Sequence, residues 1–277
     1  VQIPGTWDST STSIYGTYMI KSGQLWAVGH NSSGELGQNS LVKYSSPVQI
    51  PGTTWSQVSG GNEFVSAIKT DGTLWSWGYN NRGQLGQNQG PSQLPRCSSP
   101  VQVGSNTTWS KVKTSFNAVM ATKTDGTLWM WGNNYRGNLG VNQPTNTHYS
   151  SPVQIPGTTW SSTINSSMNT TYAIKTDGTM WGWGEDVSGV LAQNSIDVHQ
   201  SSPTQIPGTT WSKVACGERW VSSIKTDGTL WSWGYNQKGQ QGHNDLAKYS
   251  SPVQVGTDTD WHDIQVVNWS TFGTKLV

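Results

Sequence analysis

Residues 72–86 read GTLWSWGYNNRGQLG, residues 126–140 read GTLWMWGNNYRGNLG, and residues 228–242 read GTLWSWGYNQKGQQG. In each copy Leu-Trp-x-Trp alternates with a period of two, as a strand requires. Working outward in the second copy of the repeat, FVSAIKT (64–70) precedes the segment and also alternates, with Phe64, Ser66 and Ile68 on one side and Val65, Ala67 and Lys69 on the other. Thr70-Asp71-Gly72 between them reads as a tight turn, because Gly accepts positive φ and Asp bonds its own backbone. WSQVS (55–59) suits a first strand, and PVQV (100–103), opened by a Pro that cannot donate to a ladder, suits an outer one.

The same script recurs along the whole chain. A Trp behind a Gly/Thr-rich corner stands at Trp7, Trp55, Trp109, Trp160, Trp211 and Trp261, about 50 residues apart each time. Four up-and-down strands per repeat predict an all-β fold, a β-propeller of about six four-stranded blades. The whole chain is read as one domain. Five repeats are complete, at about residues 7–51, 55–103, 109–156, 160–207 and 211–255. A sixth is shared between the termini, residues 261–277 with 1–5, and lacks one strand.

The Trp-Gly strand ending followed by Asn-x-x-Gly-x-Leu-Gly resembles the signature of the RCC1-like repeat family, over nearly the whole chain. The resemblance implies a propeller, usually of seven blades, so six is a departure. It also implies, by analogy only, guanine-nucleotide exchange on a small GTPase, the activity of the family's namesake. The Trp-Asp ending of WD40 repeats is absent.

Composition agrees with an all-β chain. Only 11% of the 277 residues are charged, there are 17 Trp and 32 Gly, and mean hydropathy is −0.54. A net charge of +1 offers no basic field for a nucleic-acid backbone. No apolar run approaches the roughly 18 residues of a membrane helix. Cys97 and Cys216 stand at non-equivalent positions of different repeats and are read as free thiols. The chain opens on Val1, which reads as a processed product or a domain of something larger. Five Asn-x-Ser/Thr sequons are expected by chance at this composition and establish nothing about secretion.

Most recurring residues are scaffold. The paired Trp of the third strands (Trp75/Trp77, Trp129/Trp131, Trp181/Trp183, Trp231/Trp233) are expected to pack between blades. Asp71, Asp125, Asp177 and Asp227 are explained by turn geometry. Asn31, Asn80, Asn134, Asp186 and Asn236, just beyond each Trp-Gly, are read as buried hydrogen-bonding devices. The histidines lack metal-ligand spacing, no catalytic constellation is evident, no cofactor is called for, and no helix is expected.

Candidate binding residues come from divergence between the repeats. Connections from second to third strand and from fourth to first are nearly uniform. Connections from first to second and from third to fourth differ from blade to blade. At one register of the first-to-second connection stand Tyr15, Glu63, Asn117, Asn169, Arg219 and Trp269. One residue earlier stand Ile14, Asn62, Phe116, Met168, Glu218 and Asn268; one later come Gly16, Phe64, Ala118, Thr170, Trp220 and Ser270. At the last register the family pattern often has His, and none is present. The turns after the third strands also differ, as at Asn81-Arg82 and Tyr135-Arg136.

The expected ligand-binding residues are therefore Tyr15, Glu63, Phe64, Phe116, Asn117, Asn169, Arg219, Trp220, Trp269, Arg82, Tyr135 and Arg136. Loops on a rigid scaffold are where recognition concentrates. The expected function is a non-catalytic recognition module for a protein or a glycan, with no nucleic-acid partner and no metal. Two alternatives stand beside it: a structural or adhesin-like domain of a larger surface or virion-fibre protein, and the exchange factor implied by resemblance. The Ser/Thr/Asn/Gln-rich, charge-poor surface suits an extracellular or surface-associated setting.

Overall fold

A computed structural model describes residues 6–143, 146–267 and 270–275. The chain is all-β and built of propeller blades. The first sheet holds β1 (Ser9–Thr12), β2 (Gly16–Lys21), β3 (Gln24–Gly29) and β4 (Tyr44–Gln49). The second holds β5 (Trp55–Gly60), β6 (Phe64–Lys69), β7 (Leu74–Tyr79) and β8 (Arg96–Gln102). The third holds β9 (Trp109–Thr114), β10 (Ala118–Lys123), β11 (Leu128–Asn133) and β12 (His148–Ile155). The fourth holds β13 (Trp160–Ser166), β14 (Thr170–Lys175), β15 (Met180–Gly184) and β16 (Gln200–Gln205). The fifth holds β17 (Trp211–Cys216), β18 (Trp220–Lys225), β19 (Leu230–Gly234) and β20 (Tyr249–Gln254). Two further strands, β21 (Trp261–Val267) and β22 (Ser270–Lys275), pair with each other.

The chain divides into two compact units. One holds the described residues up to Asn133 with His148–Pro156; the other holds those of Asn134–Thr147 and from Gly157 onward. The outer strand expected at residues 1–4 and the start of the last strand at Trp269 lie outside the described residues. Instead of no helix at all, single 3-10 turns occur at Tyr135–Gly137 and Val187–Gly189, each broken by a left-handed residue, Arg136 (φ 58°) and Ser188 (φ 67°).

The second to fifth blades are each held by three Trp and a Lys, and the first has Val28 in place of the third Trp. Trp77, Trp131, Trp183 and Trp233 are fully buried, as expected of core. Their partners Trp75, Trp129, Trp181 and Trp231 are only half-buried, because their side of the sheet is covered by one Lys side chain. In the second blade Trp55 packs edge-on to Trp75 at 6.2 Å, and Lys69 Nζ sits 4.8 Å and 4.1 Å from the two rings. The same cation–π arrangement recurs with Lys123, Lys175 and Lys225. Each fully buried indole also donates to a carbonyl of the preceding turn: Trp77 Nε1 to Glu35 O at 2.8 Å, and Trp131 Nε1 to Gln84 O at 3.0 Å. In the second unit Trp183 Nε1 donates to Asn138 O at 3.0 Å, and Trp233 Nε1 to Val190 O at 2.7 Å.

The outer strands begin earlier than their Pro. In β8 Pro100 lies inside the strand, which tolerates it as the edge of its sheet. Opposite, the register of β7 against β8 shifts between Ser76 and Gly78, and all five four-stranded sheets shift just before the same Gly. Gly78 has φ +97°, and a Cβ there would stand 2.4 Å from Glu63 O. Only Gly meets both conditions.

The uniform turns are rigid. In Thr70-Asp71-Gly72, Asp71 Oδ1 accepts from Thr73 Oγ1 at 2.7 Å and from Thr73 N at 2.9 Å, and Thr73 Oγ1 accepts from Trp75 Nε1 at 2.8 Å. The turns of Asp125, Asp177 and Asp227 repeat this chain of bonds. The Thr hydroxyl foremost, then the backbone N–H, holds all four carboxyls below the usual carboxylate range. A group whose folded pKa is lowered stabilises the fold above its unfolded value, about 3.9 for Asp. That contribution is lost as pH falls through the lowered folded value. A variant with Asn at all four positions is expected to lose less Tm between about pH 5 and about pH 2 than the native chain. An equal loss in both would show that these turns do not sense pH.

Candidate recognition surface

The connection from first to second strand is the same two-residue hairpin in the five four-stranded blades. Its closing bonds are Ser13 N to Gly16 O (2.8 Å), Gly61 N to Phe64 O (2.8 Å), Ser115 N to Ala118 O (2.9 Å), Ser167 N to Thr170 O (2.9 Å) and Gly217 N to Trp220 O (2.9 Å). The second tip residue of each is Tyr15, Glu63, Asn117, Asn169 or Arg219. Its carbonyl accepts a bond from the residue after the left-handed Gly near the end of the third strand: His30 N to Tyr15 O at 3.0 Å, Tyr79 N to Glu63 O at 2.8 Å, and likewise in the other three. The backbone of the variable register is thus pinned, and only its side chain differs.

Side chains at this end of the first unit form a connected patch. Ile14 and Tyr15 are 55% and 57% exposed, and the Tyr15 ring lies 5.5 Å from that of His30. His30 Nδ1 is 2.8 Å from Glu35 Oε1, whose other oxygen accepts from Ser33 N. Ser33 Oγ in turn donates to Glu63 Oε2 at 2.9 Å, and Asn62 N donates to Phe116 O at 3.0 Å. Phe116 is exposed and Asn117 stands beside it. Arg82 lies apart from this chain of contacts, its Nη1 3.1 Å from His148 Nε2.

In the second unit Tyr135, Asn169 and Arg219 meet in one cleft of about 190 Å³, with Met168, Glu185 and Glu218. Asn169 Nδ2 donates to Glu185 Oε2 at 2.8 Å, and Arg136 approaches the other oxygen of Glu185 at 3.9 Å. Arg219 stands 3.8 Å from Glu218. Met168 is 47% exposed at the rim.

Two expected site residues are corrected. Phe64 and Trp220 are wholly buried and present nothing to a ligand. They open β6 and β18, and their rings fold back over Gly61 and Gly217, where a Cβ would stand 2.1 Å and 2.5 Å from ring atoms. Blades with a small residue at this register (Gly16, Ala118, Thr170) carry Ser13, Ser115 or Ser167 in place of that Gly. This pairing of Gly with an aromatic ring three residues on was the signal in the sequence that separates core from tip. Trp269 lies outside the described residues. Ile14 and Met168, at a register that divergence already marks, add two exposed apolar tip residues to the expected set.

Asn31, Asn80, Asn134, Asp186 and Asn236 are all buried. Asn80 donates from Nδ2 to Gln89 O and Leu94 O, and accepts from Leu85 N at 3.0 Å. These residues knit the long third-to-fourth connections onto the blade. At Asp186 burial pushes the carboxyl pKa up. Cys97 and Cys216 are free thiols. Among the described residues no cluster of three His, Cys, Asp or Glu is placed to hold a metal ion, and no helix is long and apolar enough to cross a membrane. Ser232 Oγ lies 2.9 Å from His243 Nε2, but the hydroxyl is buried and donates to Gln241 O, out of reach of a substrate.

Blades of this build, strung in tandem and diverging at one end, define a repeat propeller with a rigid frame and variable tips. The family model of the regulator of chromosome condensation (RCC1) repeat matches residues 22–68, 71–121, 125–173, 177–222 and 227–268, and a second RCC1 repeat model matches residues 55–84. The chain belongs to the RCC1 repeat family. Each of the five matches begins at or within the turn between second and third strands, half a blade out of step with the sheets. No curated protein sequence matches the chain. Among solved structures it is similar to Prp20p from Saccharomyces cerevisiae, at 17% identity and TM-score 0.79, over 98% of this chain and 69% of that one. Yeast RCC1 (Prp20) bound to Kap60 gives 16% identity and TM-score 0.81, over 98% and 67%. Human WBSCR16 gives 20% and 0.73, over 92% and 68%. At these identities the likeness is one of fold.

Proposed function

We propose that the chain is a non-catalytic protein-recognition module that binds through the variable ends of its blades. One observation carries this. The large hydrophobic side chains exposed among the described residues are Ile14, Tyr15, Leu41, Val42, Phe116, Met168, Ile196, Val198, Leu246 and Phe272. All but Phe272 lie in first-to-second or third-to-fourth connections, and the tight turns and corners at the other blade ends hold none. Tyr and Arg, present at these tips as Tyr15 and Arg219, are among the residue types enriched at protein hot spots. Divergence from blade to blade suits one asymmetric partner better than a sugar bound once per blade. A protein as partner class also agrees with the structural neighbour Prp20p, whose structure is described with its binding to Gsp1p and histones.

The test is capture from a source-cell lysate by three forms of the chain: native, a tip variant (Tyr15→Ala, Phe116→Ala, Arg219→Ala), and a control altered at the opposite end (Asp71→Asn, Asp177→Asn). A partner taken by the native chain and the control is expected to lose at least about tenfold in affinity for the tip variant, the effect of removing one to two kcal/mol. Undiminished capture by a folded tip variant would place recognition elsewhere.

A further inference from the structure

The corners from fourth to first strand come in two lengths. The short form is Ile-Pro-Gly-Thr-Thr-Trp, at 50–55, with equivalents ending at Trp160 and Trp211. The long form has one more residue: Val103-Gly-Ser-Asn-Thr-Thr-Trp109 and Val255-Gly-Thr-Asp-Thr-Asp-Trp261. Three residues before the Trp, the five corners place Gly52, Gly157, Gly208, Asn106 and Asp258.

This position faces the Lys that caps the Trp. In the short corners the Gly backbone closes over it: a Cβ on Gly52 or Gly208 would lie 3.6 Å from Lys69 Nζ or Lys225 Nζ. In the last corner a carboxylate reaches the same place. Lys275 Nζ sits 4.9 Å from the Trp261 ring and bonds Asp258 Oδ2 at 2.5 Å and Asp260 Oδ1 at 3.0 Å.

The third blade has the long corner without the acids. Lys123 caps Trp109 and Trp129 at 4.7 Å and 4.1 Å, as its counterparts do. Asn106 and Thr108 stand where Asp258 and Asp260 stand. Lys123 is 9% exposed and more deeply buried than Lys69, Lys175 and Lys225; like theirs, its ammonium has no ion-pair or hydrogen-bond partner among the described residues. Burial holds its pKa below the usual Lys value, partly offset by Asp125. A partly desolvated ammonium whose nearest carboxylate forms no ion pair with it favours an anion beside it. Against it lies a cleft of about 500 Å³, whose walls include Gln87, Asn88, Gln102, Asn106, Trp129 and Pro152. That volume accommodates a molecule of monosaccharide size. Trp109 also lines it.

We propose that this cleft binds a small carboxylate-bearing ligand, with the carboxylate on Lys123 where the chain's own Asp258 and Asp260 meet Lys275, and the body of the ligand against Trp129. The carboxylate belongs either to an acidic sugar or to an acylated amino acid. The site lies away from the variable tips, so its success or failure is separate from that of the recognition surface.

The test titrates the 277-residue chain with glucuronate, N-acetylglycine and glucose, read by calorimetry and by Trp fluorescence. Saturable binding of glucuronate, of N-acetylglycine, or of both is expected, with no binding of glucose; the preferred acid identifies the source. The double variant Asn106→Asp/Thr108→Asp brings in the carboxylates of the last corner and leaves the core untouched. It is expected to weaken binding at least tenfold, as is Lys123→Gln, while Lys275→Gln leaves binding unchanged. Absence of saturable binding of either acid, equal binding of glucose, or full binding by a folded Asn106→Asp/Thr108→Asp variant would overturn the proposal.

Discussion

Trp233→Ala is expected to destabilise the chain by about 3–5 kcal/mol, the range for a large aromatic lost from a packed core. The indole is fully buried among Tyr172, Val214 and Val221, and its Nε1–H ends on Val190 O. Truncation leaves a cavity and removes a buried donor together. Trp231→Ala should cost less, because Trp231 is half-buried and its Nε1–H bonds Thr229 Oγ1 in its own turn. Denaturant midpoints of the two variants measure the difference. Equal losses would mean that the Lys225–Trp231 cap holds the blade as firmly as the core indole does.

Gly78→Ala should be as severe although it adds a single methyl. Its Cβ would stand 2.4 Å from Glu63 O and 2.7 Å from Phe64 Cα, both backbone atoms that no rotamer change can move. A left-handed non-Gly residue costs about 1–3 kcal/mol, and forced overlap a similar amount again, so about 2–6 kcal/mol is expected. The carbonyl in the way is the one that pins the variable tip. Circular dichroism melts of Gly78→Ala and of Gly104→Ala, whose Cβ would meet nothing within 4 Å, make the comparison. Similar melts would show that the tip backbone yields and that the blade does not depend on it.

The blade frame was legible because its determinants are local and repeated: Asp71 and Gly72 in the turn, the alternation of Leu74 to Trp77, the Gly that ends each third strand. The tips were legible only as a register. Divergence marked residues 62–64 alike, yet Asn62 and Glu63 form the half-buried tip of the hairpin while Phe64 opens β6 with its ring in the core. Reading that required the glycine at 61 that clears room for the ring. The cleft at Lys123 was hidden for a different reason. Its parts come from all of β8 to β12 and the connections beside them, and the longer corner that it includes registers in one-dimensional comparison only as a single inserted residue.

The indole bonds between successive turns all run one way. Trp77 reaches back to Glu35, Trp131 to Gln84, Trp183 to Asn138 and Trp233 to Val190, each to a carbonyl 42 to 47 residues earlier. At a ribosomal pace of about 5–20 residues per second, each acceptor leaves the exit tunnel roughly 2–9 s before the indole that seeks it. A nascent blade therefore meets a finished turn and never has to wait for one, so assembly can advance with translation, from the amino terminus onward.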